Sequence, residues 1–101
     1  MTAIDPDAPG STTVSLTGEI DVRNATEIGD RLCDLIDDGH DTIIVECSAV
    51  TFVESRGLAM MARVQRSADD AGCRLSWRAL PLPVLRNIHV SGLDTYLHIE
   101  A

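Results

Sequence analysis

The feature that most constrains this chain is one strand–loop–helix succession. Thr42-Ile43-Ile44-Val45-Glu46-Cys47 is a nearly unbroken apolar run, and Leu58 to Ala71 repeats apolar residues at helical spacing. A short apolar run of this kind, rich in β-branched residues, reads as a strand, and the longer periodic stretch as an amphipathic helix. A continuous rather than alternating run predicts burial on both faces, hence a central strand in a sheet covered by helices. The loop between them, Val50 to Leu58, then lies at the carboxyl end of that strand, where open α/β sheets place function.

Within that loop Ser55 takes the helix N-cap position, where its hydroxyl would accept a hydrogen bond from a backbone N–H of the first turn. Its neighbours break local rules. Gly57 costs up to roughly 1 kcal/mol relative to Ala in a helix interior. Arg56 sets a positive charge beside the positive end of the helix dipole, an unfavourable contact of roughly 0.3–1 kcal/mol. Rule-breaking gathered in one loop marks a candidate functional site.

The flanking sequence supplies the rest of an alternating α/β order. Residues 2–4 are read as a short strand and Asp5 to Ser11, rich in Pro, Gly and Asp, as a turn. Thr12 to Thr17 alternates and ends at Gly18 as a strand. Glu19 to Arg23 is read as a connecting loop anchored by Ile20 and Val22. Asn24-Ala25-Thr26-Glu27 has the form of a capping box, with Asn24 as cap and Glu27 reaching back. Ala25, Ile28, Leu32, Leu35 and Ile36 recur at helical spacing, and Glu27, Asp30, Asp34, Asp37 and Asp38 form a solvated acidic face. Gly39 closes that helix in the left-handed position.

After the loop, Met60, Met61, Val64, Ala68 and Ala71 make the core stripe of the second helix, and Gly72 closes it. Cys73 to Arg78 alternates as a strand. Pro83 suits the first turn of a third helix carrying Val84, Leu85 and Ile88 and ending at Gly92. Tyr96 to Ile99 is a last strand. The predicted fold is therefore α/β: a single domain over 1–101, with a mixed, mostly parallel sheet of four to five strands flanked by three helices.

Composition narrows the function. The chain has 101 residues, 45% hydrophobic but only 3% aromatic, which predicts one small domain with an aliphatic core. The net charge of −8 repels phosphate backbones, so direct nucleic-acid binding is not expected. The chain shows no apolar run of membrane-spanning length and no export signal at its start, which predicts a soluble, cytoplasmic protein without membrane insertion. Cys33, Cys47 and Cys73 lack metal-ligand spacing and read as small buried hydrophobes. The histidines His40, His89 and His98 are scattered and form no triad pattern. No metal or cofactor is expected, and no catalytic residue is assigned. A phospho-receiver needs a lysine, and the chain has none; an esterase would need a base aligned on Ser55, and no motif supplies one.

Three segments in register then carry a resemblance. Leu16-Thr17-Gly18-Glu19-Ile20-Asp21, Phe52-Val53-Glu54-Ser55-Arg56-Gly57-Leu58 and Ser91-Gly92-Leu93 are similar to the signatures of STAS domains of the anti-anti-sigma (anti-sigma factor antagonist) type. The resemblance covers residues from about 12 to 99. Glu54 replaces the family's usual Asp, Arg56 replaces a common small hydroxyl residue, and no pattern for the family's C-terminal helix follows Ile99. The resemblance implies a bacterial transcription regulator that is not an enzyme. Unphosphorylated, it would bind an anti-sigma factor that is itself a serine kinase and so free the sigma factor. Phosphorylation of Ser55 would switch it off. It further implies a partner surface of Glu19, Asp21, Asn24, Glu54, Ser55, Arg56, Gly57 and Leu58, on a monomer or weak dimer. The alternative is a non-phosphorylated STAS docking subunit of a membrane transporter or stress-signalling complex.

Overall fold

Strand β1 (Thr2–Ala8) runs antiparallel to β2 (Ser11–Ile20), and every later strand is parallel to its neighbour. The structure, a computed structural model, describes residues 2–8 and 10–100. After β2 come α1 (Ala25–Asp37), β3 (Thr42–Val53), α2 (Ser55–Ala71), β4 (Arg74–Arg78), α3 (Leu82–Val90), a 3-10 turn (Leu93–Thr95) and β5 (Ile99–Glu100). The sheet order is β1-β2-β3-β4-β5, so β3 is central, as its composition predicts. Each parallel step is joined by a helix, the expected mixed, mostly parallel α/β arrangement.

Burial is one-sided. Thr12, Val14 and Leu16 on β2, Ile43, Val45 and Cys47 on β3, and Leu75 and Trp77 on β4 are all buried, and Thr12–Ile43–Leu75 and Val14–Val45–Trp77 lie in register across the sheet. They meet Ala25, Ile28, Leu32 and Ile36 of α1 and Met60, Met61, Val64 and Ala68 of α2 in one core. The alternate residues Ile44, Glu46, Ser76 and Arg78 are only half-buried, and Glu46 pairs with Arg78 at 2.7 Å across the strands. The expectation that β3 is buried on both faces is thus corrected: Ile44 completes an apolar run without being a core residue.

Other boundaries move for identifiable reasons. The turn expected over Asp5–Ser11 is mostly strand, because β1 is an edge strand. An edge strand tolerates Pro6, whose missing N–H takes nothing from the ladder, and the register shifts between Pro6 and Ala8. β2 does not stop at Gly18; the register shifts there and pairing continues to Ile20, opposite Val53, so Glu19 and Ile20 belong to the strand rather than the loop. β3 runs on past Cys47 to Val53. Tyr96 to His98 are not strand, since pairing to β4 begins only at Ile99. Ala71 is exposed, and the buried position on that stripe is Gln65. Gly39, at φ +89°, ends α1 as expected, with the His40 N–H donating to the Leu35 carbonyl at 3.3 Å.

No helix among the described residues is long and apolar enough to cross a membrane. Cys47 is buried, which pushes its thiol up to about 12 and makes it an inert core group.

Candidate functional site

The carboxyl ends of β2 and β3 lie side by side and build the site. Ile20 is opposite Val53, and the Glu54 N–H donates to the Ile20 carbonyl at 3.0 Å. This bond delivers the chain from the sheet edge into α2. Glu54, with extended backbone (φ −88°, ψ −179°), holds the N-cap position, and Leu58 N–H donates to its carbonyl at 3.0 Å. Ser55 is the first helical residue rather than the cap, which corrects the expectation from residue type. Glu54 supplies no side-chain cap either. The first-turn N–H groups of Ser55 and Arg56 therefore have no side-chain acceptor among the described residues, at the end of the helix that favours an acceptor or an anion.

Gly57 has a packing reason. A Cβ there would lie 2.5 Å from Val53 Cγ1, 2.9 Å from Ile20 Cγ2 and 3.2 Å from the Ile20 carbonyl oxygen. The helix start lies directly on the two strand ends, and only the missing side chain permits it. Gly57 is buried beneath the surface, Leu58 is half-buried, and Ser55 and Arg56 are exposed.

The preceding loop is braced by its own polar groups. Asn24 holds the N-cap position of α1 as expected, but its side chain makes no cap hydrogen bond. Its Oδ1 accepts from the Asp21 N–H at 3.0 Å and its Nδ2 donates to the Glu19 carbonyl at 2.8 Å, and this bracket replaces the predicted capping box. The Asp21 carboxylate accepts from Arg23 Nη2 at 2.7 Å and from the Arg23 N–H at 2.9 Å. Those bonds hold the Asp21 carboxyl below its ordinary range. Glu19, with a looser 3.9 Å contact to Arg23, is exposed.

Two shallow grooves flank the start of α2. Ser55 lines one of about 380 Å³ with Phe52, Glu54, Leu58, Asn87 and Val90. Phe52 is 48% and Val90 85% exposed, so this groove presents apolar surface to solvent. Asn87 Nδ2 donates to the Val53 carbonyl at 3.4 Å and ties α3 to the strand end beneath Ser55. Ser91 lines the same groove, which brings the end of α3 to Ser55. Arg56 lines the other groove, with Val22, Thr26 and Arg63.

All eight residues expected at a partner surface thus lie on the adjoining ends of β2 and β3 and the helix starts that follow. Sequence reasoning missed Phe52, Asn87 and Val90 as groove residues, and Arg63 as the neighbour of Arg56. A lone exposed apolar residue has no periodic signal. The one available hint was that Val90 falls outside the Val84, Leu85 and Ile88 stripe.

Comparison with known proteins agrees with this geometry. Residues 5–99 match the family described as "Mlab, STAS domain". No curated protein sequence matches the chain. An anti-sigma factor antagonist from Mycobacterium paratuberculosis is 26% identical with a TM-score of 0.81, over 98% of this chain and 83% of that one. The unphosphorylated form of the anti-sigma factor antagonist SpoIIAA is 19% identical with a TM-score of 0.82, over 100% and 89%. A sulfate transporter family protein from Wolinella succinogenes has the same fold at 18% identity and a TM-score of 0.73, over 94% and 85%.

Proposed function

The chain belongs to the STAS family, and from that premise we propose that it is an anti-sigma factor antagonist switched off by phosphorylation of Ser55. The observation that carries this reading is the placement of Ser55: an exposed hydroxyl on the first turn of α2, with uncapped N–H groups beside it and the apolar Phe52–Val90 groove in front. An acceptor group is electrostatically favoured there, and a protein partner finds apolar surface to bury.

In the unmodified state the partner, an anti-sigma factor with serine-kinase activity, docks across Glu19, Asp21 and Asn24 on one side and Glu54 to Leu58 on the other. Its capture frees the sigma factor. This chain contributes the nucleophile and no base, since Ser55 has no side-chain partner among the described residues. Ser55 Oγ attacks the γ-phosphorus of ATP held by the kinase, ADP leaves, and the hydroxyl proton passes to a base of the kinase. The phosphate adds about −1.5 to −2 charge with three acceptor oxygens. Its own fold accommodates it at the helix N-terminus, while the partner surface lying on Ser55 loses contact. The antagonist acts in the cytoplasm as a monomer or weak dimer and is not an enzyme.

The test is incubation with an anti-sigma kinase from the same genome and ATP, followed by mass spectrometry and calorimetric titration. Phosphate is expected on Ser55, and Ser55→Glu should weaken kinase binding with little change in melting. Phosphate on Ser48 or Ser67 with Ser55 unmodified would sink the proposal. A second reading draws on Glu54, Arg56 and the likeness to a sulfate transporter family protein: a docking subunit that is never phosphorylated. Recovery of a transporter component by the unmodified protein, with no phosphate on Ser55, would establish it.

A further inference from the structure

Ser55 and Arg56 are adjacent in sequence but line different grooves. The Arg56 groove lies between the starts of α1 and α2 and holds about 190 Å³. That is below the roughly 300–1,000 Å³ of small-molecule pockets and close to the size of one side chain. Its floor is apolar and buried, with Ala25 at 3% and Met60 at 4% exposure. On its edge Val22 is 59% exposed.

Its rim is basic on an acidic protein. Two of the 8 basic residues line it, in a chain of net charge −8. Arg63 is held in place from α1: its Nη2 lies 3.2 Å from Asp30 Oδ1, and its guanidinium occupies the space that a Cβ on Gly29 would take. A guanidinium has five donors, so the Asp30 contact leaves others available. Arg56 has no partner among the described residues. It opposes the dipole of α2, so its charge is unfavourable until an anion arrives.

We propose that this groove is a socket for a single glutamate side chain of the anti-sigma partner, with Arg56 and Arg63 as the recognition residues; this rests on the function proposed above. The methylenes of the glutamate cover Val22 and Met60, and its carboxylate accepts charge-assisted hydrogen bonds from the two guanidinium groups. A polyanion is not the occupant, because the net charge of −8 repels an extended phosphate backbone. Arg56 thereby selects the partner, whereas Ser55 controls whether the partner stays.

The test is calorimetric titration of an anti-sigma kinase from the same genome with wild type, Arg56→Ser, Arg56→Lys and Arg56→Glu, with melting curves to verify the fold. Loss of the charged hydrogen bonds predicts affinity weaker by at least about tenfold for Arg56→Ser and more for Arg56→Glu, with a partial loss for Arg56→Lys, which keeps charge but not the planar fork. Replacing the partner's socket glutamate by arginine should restore binding to Arg56→Glu. If the kinase binds wild type and all three variants alike while Ser55→Glu abolishes binding, the socket is overturned and the antagonist reading survives. If the kinase does not bind wild type, the antagonist reading fails. The socket is then decided by NMR titration of the protein with the peptide acetyl-Leu-Glu-Glu-Leu-amide and its lysine counterpart. Saturable shifts at Thr26, Ala59 and Arg63 with the acidic peptide alone uphold it; their absence overturns it.

Discussion

The two ends of α2 follow opposite rules. At the C-terminus Gly72 turns left-handed (φ +72°, ψ 19°), its N–H donates to the Asp69 carbonyl at 3.3 Å, and the Cys73 N–H donates to the Ala68 carbonyl at 2.9 Å. Two turns earlier Gln65, at 0% exposure, uses both ends of its amide. Its Oε1 accepts from Trp77 Nε1 at 3.0 Å and from the His98 N–H at 3.1 Å, and its Nε2 donates to Asp69 Oδ1 at 3.2 Å. That half of the helix is closed by a left-handed glycine cap and by the Gln65 amide, whose bonds stay inside the chain. At the N-terminus no side chain caps the helix, Arg56 opposes the dipole, and Phe52 and Val90 face solvent. Where α2 holds the fold together it is fully satisfied. At its other end, the proposed docking face, it is left unfinished.

The contrast breaks most severely at Gln65. Gln65→Leu keeps the volume but strips the buried Trp77 Nε1 and the part-buried His98 N–H of their acceptor. At about 1–3 kcal/mol for a buried unsatisfied group and less for a part-buried one, the expected loss of stability is about 2–3 kcal/mol. Urea unfolding measures it, and a loss under about 1 kcal/mol would mean that the closed end does not depend on this amide.

Gly57→Ala comes next, and it tests whether the open end nevertheless rests on a tight foundation. Overpacking against Val53 and Ile20 costs about 1–3 kcal/mol, set against a gain of about 1 kcal/mol from helix propensity. The net expectation is destabilisation near 1 kcal/mol. A rise in Tm would show that the strand ends can move apart.

A paired comparison at the two termini sharpens the difference further. Gly72→Ala places a Cβ at positive φ and should destabilise by about 1–2 kcal/mol. Ser55→Glu adds an acid at an open helix start and should stabilise by about 0.3–1 kcal/mol at low salt. Melting curves of the two variants should therefore move in opposite directions; shifts of the same sign would show that the ends are alike.

The smallest effect is titration of Asp21. Arg23 depresses its carboxyl in the folded state, so its contribution is present above the unfolded value and is lost as pH falls below about 4. An NMR pH titration should show the Asp21 carboxylate protonating below the ordinary aspartate range, and Arg23→Ala should return it toward that range.

The central strand and the buried stripes of α1 and α2 are legible from spacing, because Ile43, Val45, Leu32 and Met61 all obey the period of their element. Ile44 misled because an apolar residue on a half-covered sheet face looks the same as one in a core. Pro6 misled because the turn signal of proline lapses at a sheet edge. Ser55 was singled out by its place in the loop, but its structural role moved by one residue: the Glu54–Ile20 hydrogen bond, not the cap preference of serine, sets where α2 begins. Gln65 was invisible because its partners Trp77 and His98 lie far along the chain. Val22 was read as an apolar anchor but is exposed, unlike Ile20, and Phe52 and Val90 were missed because single apolar residues outside a stripe are common on any surface.

The close seat of Gly57 on Ile20 and Val53 also bears on how Ser55 is read. The hydroxyl is rigidly mounted, and its surroundings are assembled from Phe52 in the same loop and from Asn87, Val90 and Ser91, which lie far along the chain. A short peptide spanning the Ser55 loop would carry its letters without its address. An enzyme that modifies Ser55 must recognise a folded object, so a chain that has lost its packing at Gly57 falls silent even with the serine intact.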